Sequence, residues 1–124
     1  MKLFLKITVI VLLTIGFIAI MQSCKKPTIP DVVTANVSGI TQTSATSGGN
    51  VTDDGGAEVT SRGVCWSTSQ NPTTSSTKTS DGTGTGTYSS SIAGLTPAAT
   101  YYVKAYATNS EGTAYGNEVS FSSN

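Results

Sequence analysis

Histidine is absent from this chain of 124 residues, and cysteine occurs only at Cys24 and Cys65. Without histidine, the general base of Ser-His and Cys-His mechanisms is missing, and so is a usual ligand of tetrahedral zinc. Charged residues make up only 11% of the chain, and seven basic residues balance seven acidic ones. A chain with this charge offers no basic surface to nucleic acid. These absences predict a protein that is not an enzyme and needs no cofactor.

The first 23 residues have the pattern of an export signal. Lys2 and Lys6 flank the start, and residues 7–21 are apolar apart from two threonines and a glycine. As a helix this run would span roughly 22 Å, which is shorter than a hydrocarbon core of about 30 Å. Residues 1–23 are therefore predicted to be a cleaved signal peptide, with an uncleaved anchor as the less favoured alternative.

Met21-Gln22-Ser23-Cys24 ends the apolar run and resembles the lipobox of bacterial lipoproteins. The resemblance implies cleavage before Cys24 and attachment of diacylglycerol and an N-acyl chain to that residue. Several chains hold a protein on a membrane, since each buried methylene contributes about 0.8 kcal/mol. Met21 stands where lipoproteins usually have leucine, and plain secretion is the alternative. Lys25, in place of aspartate, resembles lipoproteins sent to the outer membrane, with the protein facing the periplasm or the cell surface.

Residues 24–30 are predicted to be a lipidated tether, because Pro27 and Pro30 favour an extended conformation. Residues 31–124 suffice for one domain. Once Lys2 and Lys6 are removed, two more acidic than basic residues are left. With Cys24 lipidated, Cys65 has no partner for an intrachain disulfide. It is predicted to be a buried strand thiol, and a reactive or intermolecularly paired thiol is the alternative.

From Asp31 onward, β-branched and aromatic residues occur in short runs separated by Gly, Asn, Asp and Pro, with no apolar stripe of helical period. This pattern is typical of an all-β protein. The predicted strands are 32–40, 45–52, 58–68, 75–80, 87–95, 100–109 and 114–122. Seven strands with this spacing favour a two-sheet sandwich over a small closed barrel.

Two stretches resemble fibronectin type III domains. Leu95-Thr96-Pro97, followed by Tyr101 and alternating apolar residues up to Asn109, is similar to the pattern that opens their sixth strand. Residues 62–67, 71–72 and 114–121 are similar to fibronectin-like repeats of bacterial surface lipoproteins. The usual tryptophan of the second strand is absent, and Trp66 lies on the third predicted strand instead. The resemblance covers residues 30–121 and implies a fibronectin type III or immunoglobulin-like β-sandwich.

Trp66 is predicted to fill the centre of the core. The strands 45–52 and 100–109 both present mostly small residues on their inner faces, so a large side chain must occupy the space between them. The tyrosine corner of the resembled family implies that the hydroxyl of Tyr101 bonds to backbone near the preceding turn. The predicted core residues are Val64, Trp66, Leu95, Tyr101 and Val103.

Two ligand sites are hypothesised, and each has a simpler interpretation that needs no ligand. Tyr102 and Tyr106 face away from Tyr101, about 13 Å apart, and could stack on sugar rings. Cross-strand packing explains the same pair without a ligand. The resembled topology also gathers four carboxylates at one end, which suggests calcium, although Asp beside Gly is ordinary turn chemistry. These carboxylates belong to Asp53, Asp54, Asp81 and Glu111.

The expected function is a membrane-anchored, non-enzymatic module for structure, adhesion or interaction at the cell envelope. Its expected partners are membrane lipid, through Cys24, and an envelope protein or glycan. The domain is expected to be monomeric. The alternatives are a carbohydrate- or solute-binding lipoprotein and an N-terminal fragment of a longer multidomain surface enzyme. Because the tether is short, the acidic loops are expected to face the membrane and the turns at 71–72 and 95–97 to point away from it.

Overall fold

The computed structural model describes residues 25–124, and all of their regular structure is β. Cys24 and the predicted signal peptide lie outside the described residues. The strands are β1 Asp31–Thr34, β2 Ala45–Asp53, β3 Ser61–Ser67, β4 Thr77–Lys78, β5 Gly86–Ile92, β6 Thr100–Asn109, β7 Gly112–Tyr115 and β8 Val119–Ser122. Within this range no helix is long and apolar enough to cross a membrane. The predicted all-β class is confirmed.

Two antiparallel sheets pack face to face. The first has the order β1-β2-β5, and the second has the order β4-β3-β6-β7, with β8 also paired to β6. This is the predicted sandwich, but the bounds of several strands differ: the predicted strands 58–68 and 87–95 are observed as 61–67 and 86–92, and three others differ more. The last predicted strand is divided at residues 116–118, and the predicted strands 32–40 and 75–80 are reduced to four and two residues. After β1 the chain stays beside β2 through the Ser38–Thr46 bridge and then turns at Gly39, whose φ of 58° favours glycine.

The five residues predicted for the core are all buried, with between 0% and 7% of their surface exposed. The predicted tyrosine corner is also confirmed, because the N–H of Thr96 donates to the hydroxyl of Tyr101 at 2.7 Å. Phe121 of β8 stacks on the ring of Tyr101 with 5.7 Å between centroids. The alternation of large and small residues along β6 thus places one face of that strand in the core.

Tyr88 of β5, rather than Trp66, fills the narrow space between β2 and β6. A Cβ atom on Gly49 would lie 2.6 Å from the Tyr88 hydroxyl and 2.8 Å from the Cβ of Ala105, so only glycine fits there. The hydroxyl of Tyr88 donates to the carbonyl of Gly63 at 2.7 Å. Burial raises the pKa of Tyr88 well above its usual range, with a smaller contribution from nearby negative charge, so this donor stays protonated. Trp66 belongs to the same buried core, as predicted, but it also borders the surface next to residues 75–77, whereas Tyr88 lies against Gly49.

The predicted tether is already attached to the domain before β1 begins. The N–H of Thr28 donates to the carbonyl of Gly55 at 2.8 Å. The side-chain amide of Asn109 donates to the carbonyl of Thr28 at 2.7 Å. Gly55 belongs to the loop that follows β2, and Asn109 is the last residue of β6. Only three residues, 25–27, therefore lie between residue 24 and the first of these contacts.

Candidate functional site

The predicted pair of exposed tyrosines is wrong at Tyr106. Only 1% of Tyr106 is exposed, its hydroxyl donates to the carbonyl of Thr79, and the Lys78 ammonium lies 5.7 Å from its ring centroid. Tyr102 is half-buried on the same outer face of the second sheet. The two rings cannot form a joint platform for a sugar, because the chain that follows β3 covers one of them.

The segment that crosses this outer face comprises residues 68–76 and is called the crossing loop. The N–H of Asn71 donates to the carboxylate of Glu118 at 2.5 Å, and the Asn71 side-chain oxygen accepts from the Lys104 ammonium at 3.2 Å. The N–H of Thr74 donates to the hydroxyl of Tyr115 at 3.1 Å. Side chains from β6, from β7 and from the link to β8 therefore hold the crossing loop against the sheet.

Cys65 lies on the outer face of β3 and is a free cysteine with no exposed surface. Its thiol donates to the carbonyl of Lys104 at 3.5 Å. Burial raises the pKa of the Cys65 thiol to about 11, against a smaller opposing effect of the Lys104 charge. The prediction of a buried strand thiol is confirmed. A protonated, inaccessible thiol is not a nucleophile at neutral pH.

The four carboxylates proposed for calcium do not form a site. Asp53 and Asp54 each accept a backbone N–H two residues ahead, both at 2.8 Å, as ordinary turn residues do. Asp81 accepts the hydroxyl of Ser90 at 2.5 Å on a different part of the surface. Among residues 25–124 no group of three or more His, Cys, Asp or Glu side chains could hold a metal ion. The carboxylates of Asp53, Asp54 and Asp81 each accept a hydrogen bond from a group near them and do not converge on one point.

One lateral side of the sandwich, where β1 meets the link between β7 and β8, is closed. The N–H of Thr34 donates to the side-chain oxygen of Asn117 at 3.1 Å, and the Thr34 hydroxyl accepts from the N–H of Ala105 at 2.9 Å. A Cβ atom on Gly116 would lie 2.5 Å from the same hydroxyl, so the two segments touch at their backbones. These contacts occupy the free edge of β1.

On the opposite lateral side β5 faces β4, and the hydroxyl of Ser90 on β5 donates to the carboxylate of Asp81, which follows β4, at 2.5 Å. The guanidinium of Arg62 bonds to the carbonyls of Gly84 and Thr85 at 3.2 and 3.0 Å, which closes only the approach to β5. Beyond it lies a shallow depression of about 600 Å³, called the side depression. Its lining residues are Trp66, Tyr101, Ala93, Gly94 and residues 67–68 and 75–77.

The side where β5 faces β4 is not among the features predicted from the sequence. A signal for it is present, because no charged residue occurs between Asp81 and Lys104. Within that stretch, Thr87, Ser89 and Ser91 alternate with the buried residues of β5 and are exposed. An uncharged strand with a polar, exposed face is a sequence feature of an unprotected sheet edge.

No protein-family model matches this chain, and no curated protein matches it. A human fourth FNIII domain is 23% identical, with a TM-score of 0.56, and the alignment covers 82% of each chain. The sensor domain of an anti-sigma factor from Pseudobacteroides cellulosolvens is 20% identical, with a TM-score of 0.56, covering 77% of this chain and 95% of that one. A fragment of titin is 18% identical, with a TM-score of 0.53. The alignment covers 78% of this chain but only 32% of the titin fragment, so this chain spans about a third of the fragment's length.

These likenesses establish the fold. Residues 25–124 form a fibronectin type III-like β-sandwich, with β1-β2-β5 in one sheet and β4-β3-β6 continued by β7 and β8 in the other. Domains of this kind occur in proteins as different as titin and an anti-sigma factor. The fold therefore does not by itself assign a role.

Proposed function

We propose that the protein is a lipoprotein, anchored through Cys24 in the outer membrane, whose fibronectin type III-like domain is a non-enzymatic interaction module. The observation that supports this proposal best is the short distance between the lipobox-like sequence and the domain. Thr28 lies only four positions after Cys24, and its backbone N–H is hydrogen-bonded to the loop after β2. An acylated Cys24 would hold the domain close to the lipid surface.

The surface chemistry supports interaction rather than catalysis. Ser90 is 1% exposed and donates to Asp81, and Cys65 is buried with a raised pKa, so neither is a nucleophile available to a substrate. One similar structure is the sensor domain of an anti-sigma factor, and an interaction module is in keeping with that use of the fold. The carbohydrate-binding alternative is weakened because the ring of Tyr106 is covered.

The test is lipid attachment in cells. The full chain is expressed in a bacterium supplied with an alkyne-labelled fatty acid, and membranes are separated on a density gradient. Wild-type protein should carry the label and sediment with the outer membrane, because the Cys24 thiol would take the diacylglycerol and the α-amino group freed by cleavage would take the N-acyl chain. Cys24→Ala should lose the label and keep its signal peptide.

Cys65→Ala is the matched control and should be labelled as wild type, since Cys65 lies buried in the domain. An unlabelled wild-type protein released in soluble form would show plain secretion and contradict the proposal.

A further inference from the structure

A second depression, of about 350 Å³, lies beside the residue proposed for lipid attachment and is called the tether depression. Its lining residues are Lys25, Lys26, Thr28, Asp53, Gly55 and Gly56. The first of them is the direct neighbour of Cys24 in the chain. A ligand in the tether depression would therefore lie next to the proposed anchor.

Hydrogen bonds fix the walls of the tether depression. The N–H of Thr28 donates to the carbonyl of Gly55 at 2.8 Å. The side-chain amide of Asn109 donates to the carbonyls of Thr28 and Asp54 at 2.7 and 2.8 Å. The carboxylate of Asp53 accepts the N–H of Gly55 through Oδ1 at 2.8 Å, and its Oδ2 is a second acceptor that this bond does not use. The carboxylate is thus held in place with one oxygen available to a ligand.

The tether depression carries charges of both signs. The ammonium groups of Lys25 and Lys26 suit a phosphate, whose oxygens accept charge-assisted hydrogen bonds. The carboxylate of Asp53 suits a cation that donates N–H groups. A ligand with a phosphate and an amine a few bonds apart satisfies both requirements, whereas a simple anion or cation satisfies only one.

The surrounding charge favours a ligand whose own charges balance. Asp31 pairs with Asp53 across β1 and β2. Asp54 and Glu111 are both bonded through their backbones to the side chain of Asn109. These four acidic residues outnumber the two lysines of the tether depression. A net negative ligand would be repelled by this excess, whereas a zwitterion with one phosphate and one ammonium would not.

The position of the tether depression indicates where such a zwitterion comes from. If the acyl chains of Cys24 lie in the hydrocarbon, Lys25 and Lys26 lie at the level of the lipid headgroups. The four steps from Cys24 to Thr28 span at most about 14 Å, so the depression stays near that level. Tethered sites meet their ligands at an effective concentration of about millimolar or more. A weak affinity for a headgroup is therefore enough to keep the site occupied.

We propose that the tether depression binds the headgroup of an aminophospholipid, with the phosphate on Lys25 and Lys26 and the ammonium on Asp53. An ethanolamine ammonium has N–H groups to donate to Oδ2 of Asp53, whereas the quaternary ammonium of choline has none. The choice of a membrane lipid rests on the proposed anchor at Cys24. The recognition of a phosphate together with an amine does not.

The first test measures headgroup recognition without a membrane. The full chain, purified from cells in an uncharged detergent, is titrated with glycerophosphoethanolamine and followed by the NMR signals of the Thr28 and Gly55 amides. These signals should shift at millimolar concentration. Glycerophosphocholine and inorganic phosphate should bind roughly tenfold more weakly, because each lacks the donor for Asp53.

Two variants assign the contacts. Asp53→Asn keeps an oxygen for the N–H of Gly55 but removes the charge, so it should weaken binding of glycerophosphoethanolamine roughly tenfold without changing the turn. Lys26→Gln removes one ammonium, leaves the neighbour of Cys24 unchanged and should weaken binding of all three probes. Asp54→Asn is the matched control and should bind as wild type, because its carboxylate bonds to Gly56 outside the lining.

The second test identifies the source of the ligand. The lipidated protein is inserted into phosphatidylcholine vesicles with or without phosphatidylethanolamine, and a carbodiimide is added to couple carboxylates to amines that touch them. Mass spectrometry should find the lipid adduct at Asp53 in preference to Asp54 and Glu111. Vesicles without phosphatidylethanolamine should give no lipid adduct.

Equal binding of the ethanolamine and choline probes would overturn the proposal, and so would unchanged binding in both Asp53→Asn and Lys26→Gln. Binding of the soluble probe without an adduct at Asp53 in vesicles would overturn the assignment to a lipid and leave a free amine-bearing phosphate as the ligand. Failure of the anchor appears separately, as absence of the fatty-acid label in a protein that still binds the soluble probe.

Discussion

The two lateral sides of the sandwich are built differently. On the side of β1, Thr34 bonds to Asn117 and to Ala105, and Gly116 brings the two backbones into contact. On the side of β5, the chain after β3 does not run along the free edge but crosses the outer face of the second sheet as the crossing loop. The same chain segment that covers one face thus leaves one edge uncovered. A few polar contacts between distant residues therefore close the β1 side more completely than the β5 side.

Trp66→Ala should produce the largest loss of stability, because it removes the largest side chain between the core and the β5 side. Trp66 is 7% exposed, and truncation of a buried tryptophan costs about 3 to 5 kcal/mol. The measurement is urea unfolding followed by circular dichroism. Ser91→Ala, at an exposed position of β5, is the control and should change the free energy of unfolding by less than about 0.5 kcal/mol. An unchanged unfolding midpoint in Trp66→Ala would refute its place in the core.

Thr34→Val tests the closed side. The substitution keeps the shape of the side chain but removes the acceptor of the Ala105 N–H, which lies in the buried interior at 2.9 Å. A buried donor left without a partner costs about 1 to 3 kcal/mol. Thr46→Val makes the same chemical change at an exposed position of β2 and should be nearly neutral. If both valine variants unfold at the same urea concentration, the polar contact is not what stabilises this side.

Asn117→Ala should open the edge of β1 at a smaller cost. It removes the acceptor of the Thr34 N–H, a part-buried hydrogen bond worth about 0.5 to 1.5 kcal/mol. The direct measurement is amide hydrogen exchange, which should become faster at Thr34 while the amides of β2 keep their protection. Glu118→Gln, one residue further along, leaves Asn117 in place and serves as the control. Unchanged exchange at Thr34 would mean that Gly116 alone shields this edge.

The sequence predicts the features that depend on local alternation. The all-β class, the buried face of β6, the Tyr101 hydroxyl bond and the burial of Cys65 all follow from which residues alternate along a strand. The burial of Tyr106 does not, because it depends on the path of the chain that follows β3, which brings Lys78 and Thr79 onto the Tyr106 side chain. That path is set by the contacts of Asn71 with Glu118 and of Thr74 with Tyr115, which are 47 and 41 residues apart.

The role of Tyr88 has a sequence signal that becomes clear only with the strand register. Tyr88, Ser90 and Ile92 alternate with exposed residues, and Tyr88 pairs with Gly49, the position on β2 that has no side chain. A single sequence shows the alternation but not which glycine lies opposite which tyrosine. The edge of β5 was missed for the same reason, since an edge is defined by neighbours that the sequence does not specify.

The pH dependence of stability tests how well the outer face around Cys65 is sealed. Burial raises the pKa of Cys65 from 9.0 to about 11. Between these values the thiol ionises in the unfolded chain but stays protonated in the folded one. The stabilising contribution of Cys65 is therefore complete below pH 9 and decreases as the pH rises to about 11.

Cys65→Ala lacks this contribution, so the difference in free energy of unfolding between wild type and variant should shrink across that interval. Tyr88 ionises in both proteins, and its effect cancels in the difference. If the difference does not change with pH, the thiol has the same pKa in both states. The outer face of β3 would then admit water.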